Sequence, residues 1–207
     1  MKDVILIDAG TGNLRSVQKA LETIGANVTR TDDPHALRRV LSGRRVVLPG
    51  VGAFGDFMSG LRARGLEDVV KDVAKRGVPL LGICVGMQAL FEAGEEMGQH
   101  AGLGLLPGRV ARFAESLSVK IPHTGWNQVE VQKDALLFDQ VNDGAYVYFN
   151  HSYYCQAWNS SDVIGTTDYG LTYACAVQRE NIFGVQFHPE KSQAVGLQIL
   201  KNFLEAA

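Results

Sequence analysis

Cysteine is scarce in this sequence: Cys84, Cys155 and Cys175 are the three in 207 residues. An odd number, at spacings unlike any zinc module or disulfide framework, points to a reducing compartment, and a cytoplasmic location is expected. Excess charge is lacking too. Twenty Lys and Arg stand against 22 Asp and Glu, for a formal net charge of -2, so no strong field draws the chain to nucleic acid or an anionic membrane. Long hydrophobic runs are also missing. No segment approaches the roughly 20 apolar residues that cross a bilayer, and the opening MKDVILIDAG is too short and too acidic for a signal peptide. The expected partners are therefore small molecules or other proteins. Neither a Pro-, Gly- or Ser-rich linker nor an internal repeat divides the chain, so residues 1–207 read as a single domain able to bury one core.

What is present is an alternation of strand and helix. Val4 to Ile7 form an apolar strand that runs into Gly10-Thr11-Gly12-Asn13, after which Leu14, Val17, Leu21 and Ile24 recur at helical spacing until Gly25. A strand from Val28 to Thr31, a helix over 35–41 opened by Asp33-Pro34, and a strand over Val46 to Leu48 that ends at Pro49-Gly50 repeat the unit. Phe54 to Arg76 reads as helical with a break near Gly65, and Val78 to Ile83 as the next strand. Such alternation predicts an α/β fold with a mostly parallel sheet and helices on both faces. Beyond Pro107 the texture changes to short runs, Arg109 to Phe113, Gln128 to Val131, Tyr146 to Asn150, Tyr153 to Ala157, Thr172 to Gln178 and Ile182 to Phe187. Their spacing predicts antiparallel strands that extend the sheet in the C-terminal half, and Val195 to Leu204 closes the chain as a helix.

In PLLGICVGMQ, residues 79–88, a buried-looking strand ends in a cysteine held between two glycines. Gly82-x-Cys84-x-Gly86 before a helix has the spacing of a nucleophile elbow, whose sharp turn tolerates only small neighbours. At the first turn of that helix, free N–H groups and the dipole favour thiolate over thiol. Of five histidines, His188 stands out at the end of the apolar run Phe183 to Phe187, with Glu190 two residues on to orient an imidazole. A rival reading, dinucleotide binding through Gly10-Thr11-Gly12, fails at Arg15, where a third glycine belongs.

GICVGMQ and GVQFHPEKS together resemble the class I glutamine amidotransferase family, and GTGNLRSV, LPGVGAF at 48–54, IPHTGWN at 121–127 and YFNHSYY at 148–154 are similar to one branch of it. That branch is the glutaminase subunits of imidazole glycerol phosphate synthase, from histidine biosynthesis. The motifs span nearly the whole chain in order; Asn150 departs, standing where a small apolar residue is expected. The resemblance implies the family's three-layer fold, L-glutamine as substrate, and no metal or organic cofactor. It implies Cys84 as nucleophile, His188 as acid and base, Glu190 as its orienter, backbone amides of Val51 and Val85 as the oxyanion hole, and Gly50, Gly52 and Gln88 as substrate contacts. It further implies a heterodimer with a (βα)8-barrel cyclase subunit, which takes the ammonia to convert the nucleotide PRFAR to imidazole glycerol phosphate and AICAR. Asn13, His123, Trp126 and Lys191 lie in branch motifs and are expected at the docking surface, with Lys191 signalling to the site through a salt bridge. Two alternatives stay open: a subunit of the same family serving another synthase, and a cysteine hydrolase on the same fold.

Overall fold

The computed structural model describes residues 2–39, 44–132 and 135–206. Its first half alternates as the apolar periods predict: β1 (Lys2–Ile7), α1 (Leu14–Thr23), β2 (Ala26–Thr31), α2 (Pro34–Arg39), β3 (Arg45–Gly50), α3 (Phe54–Ala63), α4 (Glu67–Lys75) and β4 (Leu80–Cys84). α1 buries Leu14, Val17, Ala20 and Leu21, a stripe at steps of three and four that faces the sheet. Gly65, at φ 65°, makes the break between α3 and α4. Residues 40 and 41 of the helix expected over 35–41 lie outside the described residues. The second half holds α5 (Val85–Ala89), β5 (Phe91–Gly94), β6 (His100–Ala101), β7 (Leu106–Arg112), β8 (His123–Val131), β9 (Ala145–His151), β10 (Tyr153–Ala157), β11 (Val163–Asp168), β12 (Thr172–Arg179), β13 (Ile182–Val185) and α6 (Gln193–Leu204).

The main run of the sheet is ordered β2-β1-β3-β4-β13-β12-β10-β7-β5-β6. β1 pairs in parallel with β2 and β3, and β3 with β4. The chain therefore reverses its direction across the sheet after β2. Right-handed crossovers then put α1 on one face and the next helices on the other. In keeping with this, α1 packs with α6, while α2 and α3 pack with α4.

The antiparallel strands expected in the C-terminal half are present, and one run expected among them pairs differently. β10 is antiparallel to β7 and β12, as predicted, and β11 is antiparallel to β12. β13, however, inserts between β4 and β12 and runs parallel to β4. Its four residues, Ile182 to Val185, are all buried, which suits a central strand covered on both faces rather than an addition at the rim. β5 also pairs in parallel with β7, and the β8–β9 hairpin attaches through β11. Sequence reading assigned nothing to β5, β6 or β11: FEAG and HA are short and carry weak strand formers such as Gly, Glu and Ala, and VIGTTD is interrupted by Gly165 and ends on Asp168.

Candidate active site

Three parallel neighbours, β3, β4 and β13, end at one edge of the sheet. Their register pairs Gly50 with Cys84 and Ile83 with Val185, so the residues just beyond the strand ends converge. This is the carboxyl edge, where open α/β sheets assemble their sites.

Cys84 ends β4 with φ 54° and ψ -111°, a conformation that costs energy for a residue with a Cβ. The flanking glycines make it possible. A Cβ on Gly82 would lie 2.6 Å from the Gly86 carbonyl oxygen, and one on Gly86 would collide with the Leu48 carbonyl. α5 has only five residues, so the dipole it aims at Cys84 is small. The other two thiols are inert, because burial pushes Cys155 and Cys175 upward and keeps them protonated.

His188 follows β13, its backbone N–H bonded to the Tyr148 carbonyl at 2.8 Å. Its Nδ1 lies 2.9 Å from Glu190 Oε1, and since a carboxylate only accepts, Nδ1 carries a proton. The Glu190 side chain is wholly buried, and Asn13 Nδ2 donates to the same oxygen at 3.3 Å. Burial opposes the imidazolium, but hydrogen bonds to Cys84 and Glu190, together with their negative charges, outweigh it and raise His188 to about 10. The imidazole is thus held as a cation against the sulfur.

A pocket of about 420 Å³ opens over Cys84 and is walled by Val51, Gly52, Val85, Gln88, His188 and Lys191, all singled out from sequence. Gly50 is not on its wall. A Cβ there would meet the Phe57 ring at 2.6 Å and the Gly86 nitrogen at 2.8 Å, so packing alone requires glycine at this position. Gln88 does reach the pocket, yet its NH2 group is spent on Tyr153 O at 3.0 Å and Gln186 Oε1 at 3.2 Å, which leaves its carbonyl as the group free to meet a ligand.

The residues expected at a docking surface separate. Trp126 is 46 % exposed and meets Tyr148 edge to face. Lys191 places its ammonium 5.5 Å from the centre of the same Tyr148 ring. His123 requires a correction. It is 2 % exposed, stacked between Tyr169 and Phe149 with ring centres 3.8 and 4.6 Å away, and so has no surface to offer a partner. Asn13 is half-buried and acts on Glu190 as described.

Sequence reading missed several pocket residues. Glu96 is the one carboxylate on the wall, and its Oε2 accepts the Phe54 N–H at 2.7 Å, securing the start of α3 directly after Val51 to Ala53. It lies in a stretch without periodicity, which gave no signal. His151, Ser152 and Tyr153 also line the wall. His151 Nδ1 lies 2.8 Å from the Tyr153 carbonyl and must donate to it, so its Nε2 accepts from Tyr173 Oη at 2.9 Å. Tyr173 Oη in turn accepts from His123 Nδ1 at 2.9 Å. Burial holds both imidazoles neutral, lowering His151 to about 3 and His123 to about 4. Gln186, wholly buried, places Nε2 3.7 Å from Cys84 Sγ. A lone amide inside the apolar run Phe183 to Phe187 is a signal that could have found it.

Residues 5–207 match the family model described as glutamine amidotransferase class-I. The imidazole glycerol phosphate synthase subunit HisH of Salinibacter ruber (strain DSM 13855 / M31) is 53 % identical over 203 residues, covering 96 % of this chain and 92 % of its own length. The protein of the same name from Moorella thermoacetica (strain ATCC 39073 / JCM 9320) is 51 % identical over 205 residues, covering 99 % and 95 %. Among solved structures, a glutamine amidotransferase crystal structure superposes with a TM-score of 0.74 at 20 % identity, over 98 % of this chain and 97 % of that one. PurLQS from Thermotoga maritima gives 0.72 at 19 % identity, over 99 % and 96 %. At such identities the structures speak to the fold alone.

Proposed function

The chain belongs to the class-I glutamine amidotransferase family, and from that premise we propose that it is the glutaminase subunit of an imidazole glycerol phosphate synthase, with Cys84, His188 and Glu190 as its triad. The observation that carries this reading is Cys84 in its strained turn, on the wall of one pocket with His188, whose Nδ1 is held by Glu190 at 2.9 Å.

The chemistry follows from the charges. The Cys84 thiolate attacks the side-chain carboxamide of L-glutamine, and the resulting oxyanion takes hydrogen bonds from the backbone N–H groups of Val51 and Val85, whose residues wall the pocket on either side of Cys84. His188, already a cation, gives its proton to the departing ammonia and leaves a γ-glutamyl thioester. Sulfur is now neutral, so the interactions with Cys84 that held the imidazolium are gone while burial still opposes the charge. The neutral imidazole can then take a proton from water, and attack by that water releases L-glutamate and restores the thiolate. Glu96 suits the α-ammonium of the substrate, being the carboxylate on the wall.

Ammonia that reaches solvent at neutral pH becomes ammonium and is no nucleophile. Relatives named as subunits support a second polypeptide that receives it, a (βα)8-barrel cyclase acting on PRFAR in a cytoplasmic heterodimer with lyase activity. Trp126, Tyr148 and Lys191 supply a docking patch beside the pocket. Mixing the protein with the barrel subunit and PRFAR tests the reading through glutamate release. Weak release alone and a large rise in the loaded complex are expected. Equal rates would reject gating by the partner, and no release in either sample would reject the glutaminase itself.

A further inference from the structure

We propose that Gln186 is a hydrogen-bond donor to the Cys84 sulfur, aimed by a directed chain of amides that starts at the Tyr153 carbonyl. The direction of every link is fixed by chemistry. The Tyr153 carbonyl can only accept, and it takes the His151 Nδ1–H at 2.8 Å and Gln88 Nε2 at 3.0 Å. Gln88 therefore presents its NH2 group, whose second hydrogen reaches Gln186 Oε1 at 3.2 Å. With its carbonyl so engaged, Gln186 must turn its own NH2 toward Cys84, and Nε2 lies 3.7 Å from Sγ. Reversing Gln88 would set acceptor against acceptor, and reversing Gln186 would set donor against donor.

The backbone places this donor without adjustment. β13 and β4 are in register through Val185 and Ile83, so Gln186 stands beside Cys84, and its N–H is bonded to the Cys175 carbonyl at 2.9 Å. Gln186 is 0 % exposed, so water cannot replace the bond, and a buried amide spent on a sulfur would be a poor choice for stability alone. A neutral donor favours the states in which sulfur carries charge. It stabilises the attacking thiolate, loosens in the thioester, and strengthens again as the thiolate leaves on hydrolysis. Together His188 and Gln186 fix where the sulfur points.

This inference rests on Cys84 as the nucleophile, and two variants of the full complex test it. Gln186→Met keeps length and volume without a donor; Gln186→Glu keeps the acceptor for Gln88 and sets an acid in the donor's place. For Gln186→Met, kcat for glutamine should fall about tenfold with KM within about twofold, and the pH profile of Cys84 alkylation by iodoacetamide should move upward. Gln186→Glu should keep activity only at acidic pH, where its protonated carboxyl still donates. Wild-type kcat and alkylation profiles in both variants would overturn the role of Gln186, as would parallel losses of kcat, KM and melting temperature, which mark a space-filling residue. If alkylated wild-type protein kept its glutaminase activity, the nucleophile assignment would fail instead.

Discussion

At the scale of single residues, the site is organised by opposite treatment of three buried histidines. His188 is raised to about 10 because Cys84 and Glu190 outweigh burial, whereas burial lowers His151 and His123 to about 3 and about 4, with the charge of His188 adding to the effect at His151. The consequences for stability have opposite signs. Unfolded, all three titrate near 6.5, so as pH falls below that value the unfolded chain gains protons that His151 and His123 refuse in the fold. Stability should therefore fall by roughly 1.4 kcal/mol per pH unit for each of the two, down to their folded values. His188 contributes its full share below 6.5 and loses it as pH rises through about 10. Urea unfolding at pH 7 and pH 4.5, with imidazole NMR to assign the protons, checks this. Imidazoles of His123 and His151 that titrate near 6.5 in the folded protein would contradict it. Glu190→Gln removes the negative charge that faces Nδ1 and leaves only a neutral amide there, and glutamine turnover should drop about 10²- to 10⁴-fold. Cys84, His188 and Glu190 were legible because their motifs are local. His123 was misread because its burial comes from Phe149 and Tyr169, distant in sequence and invisible to any short pattern.

At the scale of elements, the strand-turn-helix units of the first half could be read from apolar spacing, and the elbow from its two glycines. The place of β13 could not. A short buried run looks the same at the rim or the centre of a sheet, and only pairing with β4 on one side and β12 on the other decides. That placement is what brings Gln186 and His188 to Cys84. Two glycines near the site predict contrasting outcomes. Gly86→Ala sets a methyl against the backbone carbonyl of Leu48, which cannot move aside, and should cost about 3 kcal/mol or more in thermal denaturation. Gly52 has φ 88°, and nothing lies within 4 Å of the place a methyl group would take, so Gly52→Ala should cost only about 1 kcal/mol. It should nonetheless slow glutamate release, since it stiffens the peptide next to Val51.

At the scale of the whole molecule, the pocket gathers side chains from positions as far apart as Val51 and Lys191, and it opens beside the Trp126, Tyr148 and Lys191 patch. Because Trp126 is 46 % exposed, Trp126→Ala should leave the melting temperature of the free chain nearly unchanged while weakening association with the barrel subunit about tenfold by titration calorimetry. Unaltered affinity would move the docking surface elsewhere. The central claim is that Cys84 alone opens the glutamine amide, with the rest of the complex needing only the ammonia it yields. Glutamate release by the Cys84→Ser variant, in complex with the PRFAR-loaded barrel subunit, tests it most directly. The expected result is no glutamate from glutamine, with synthesis of imidazole glycerol phosphate intact when ammonium salts are added. Glutamate release at the wild-type rate would contradict it.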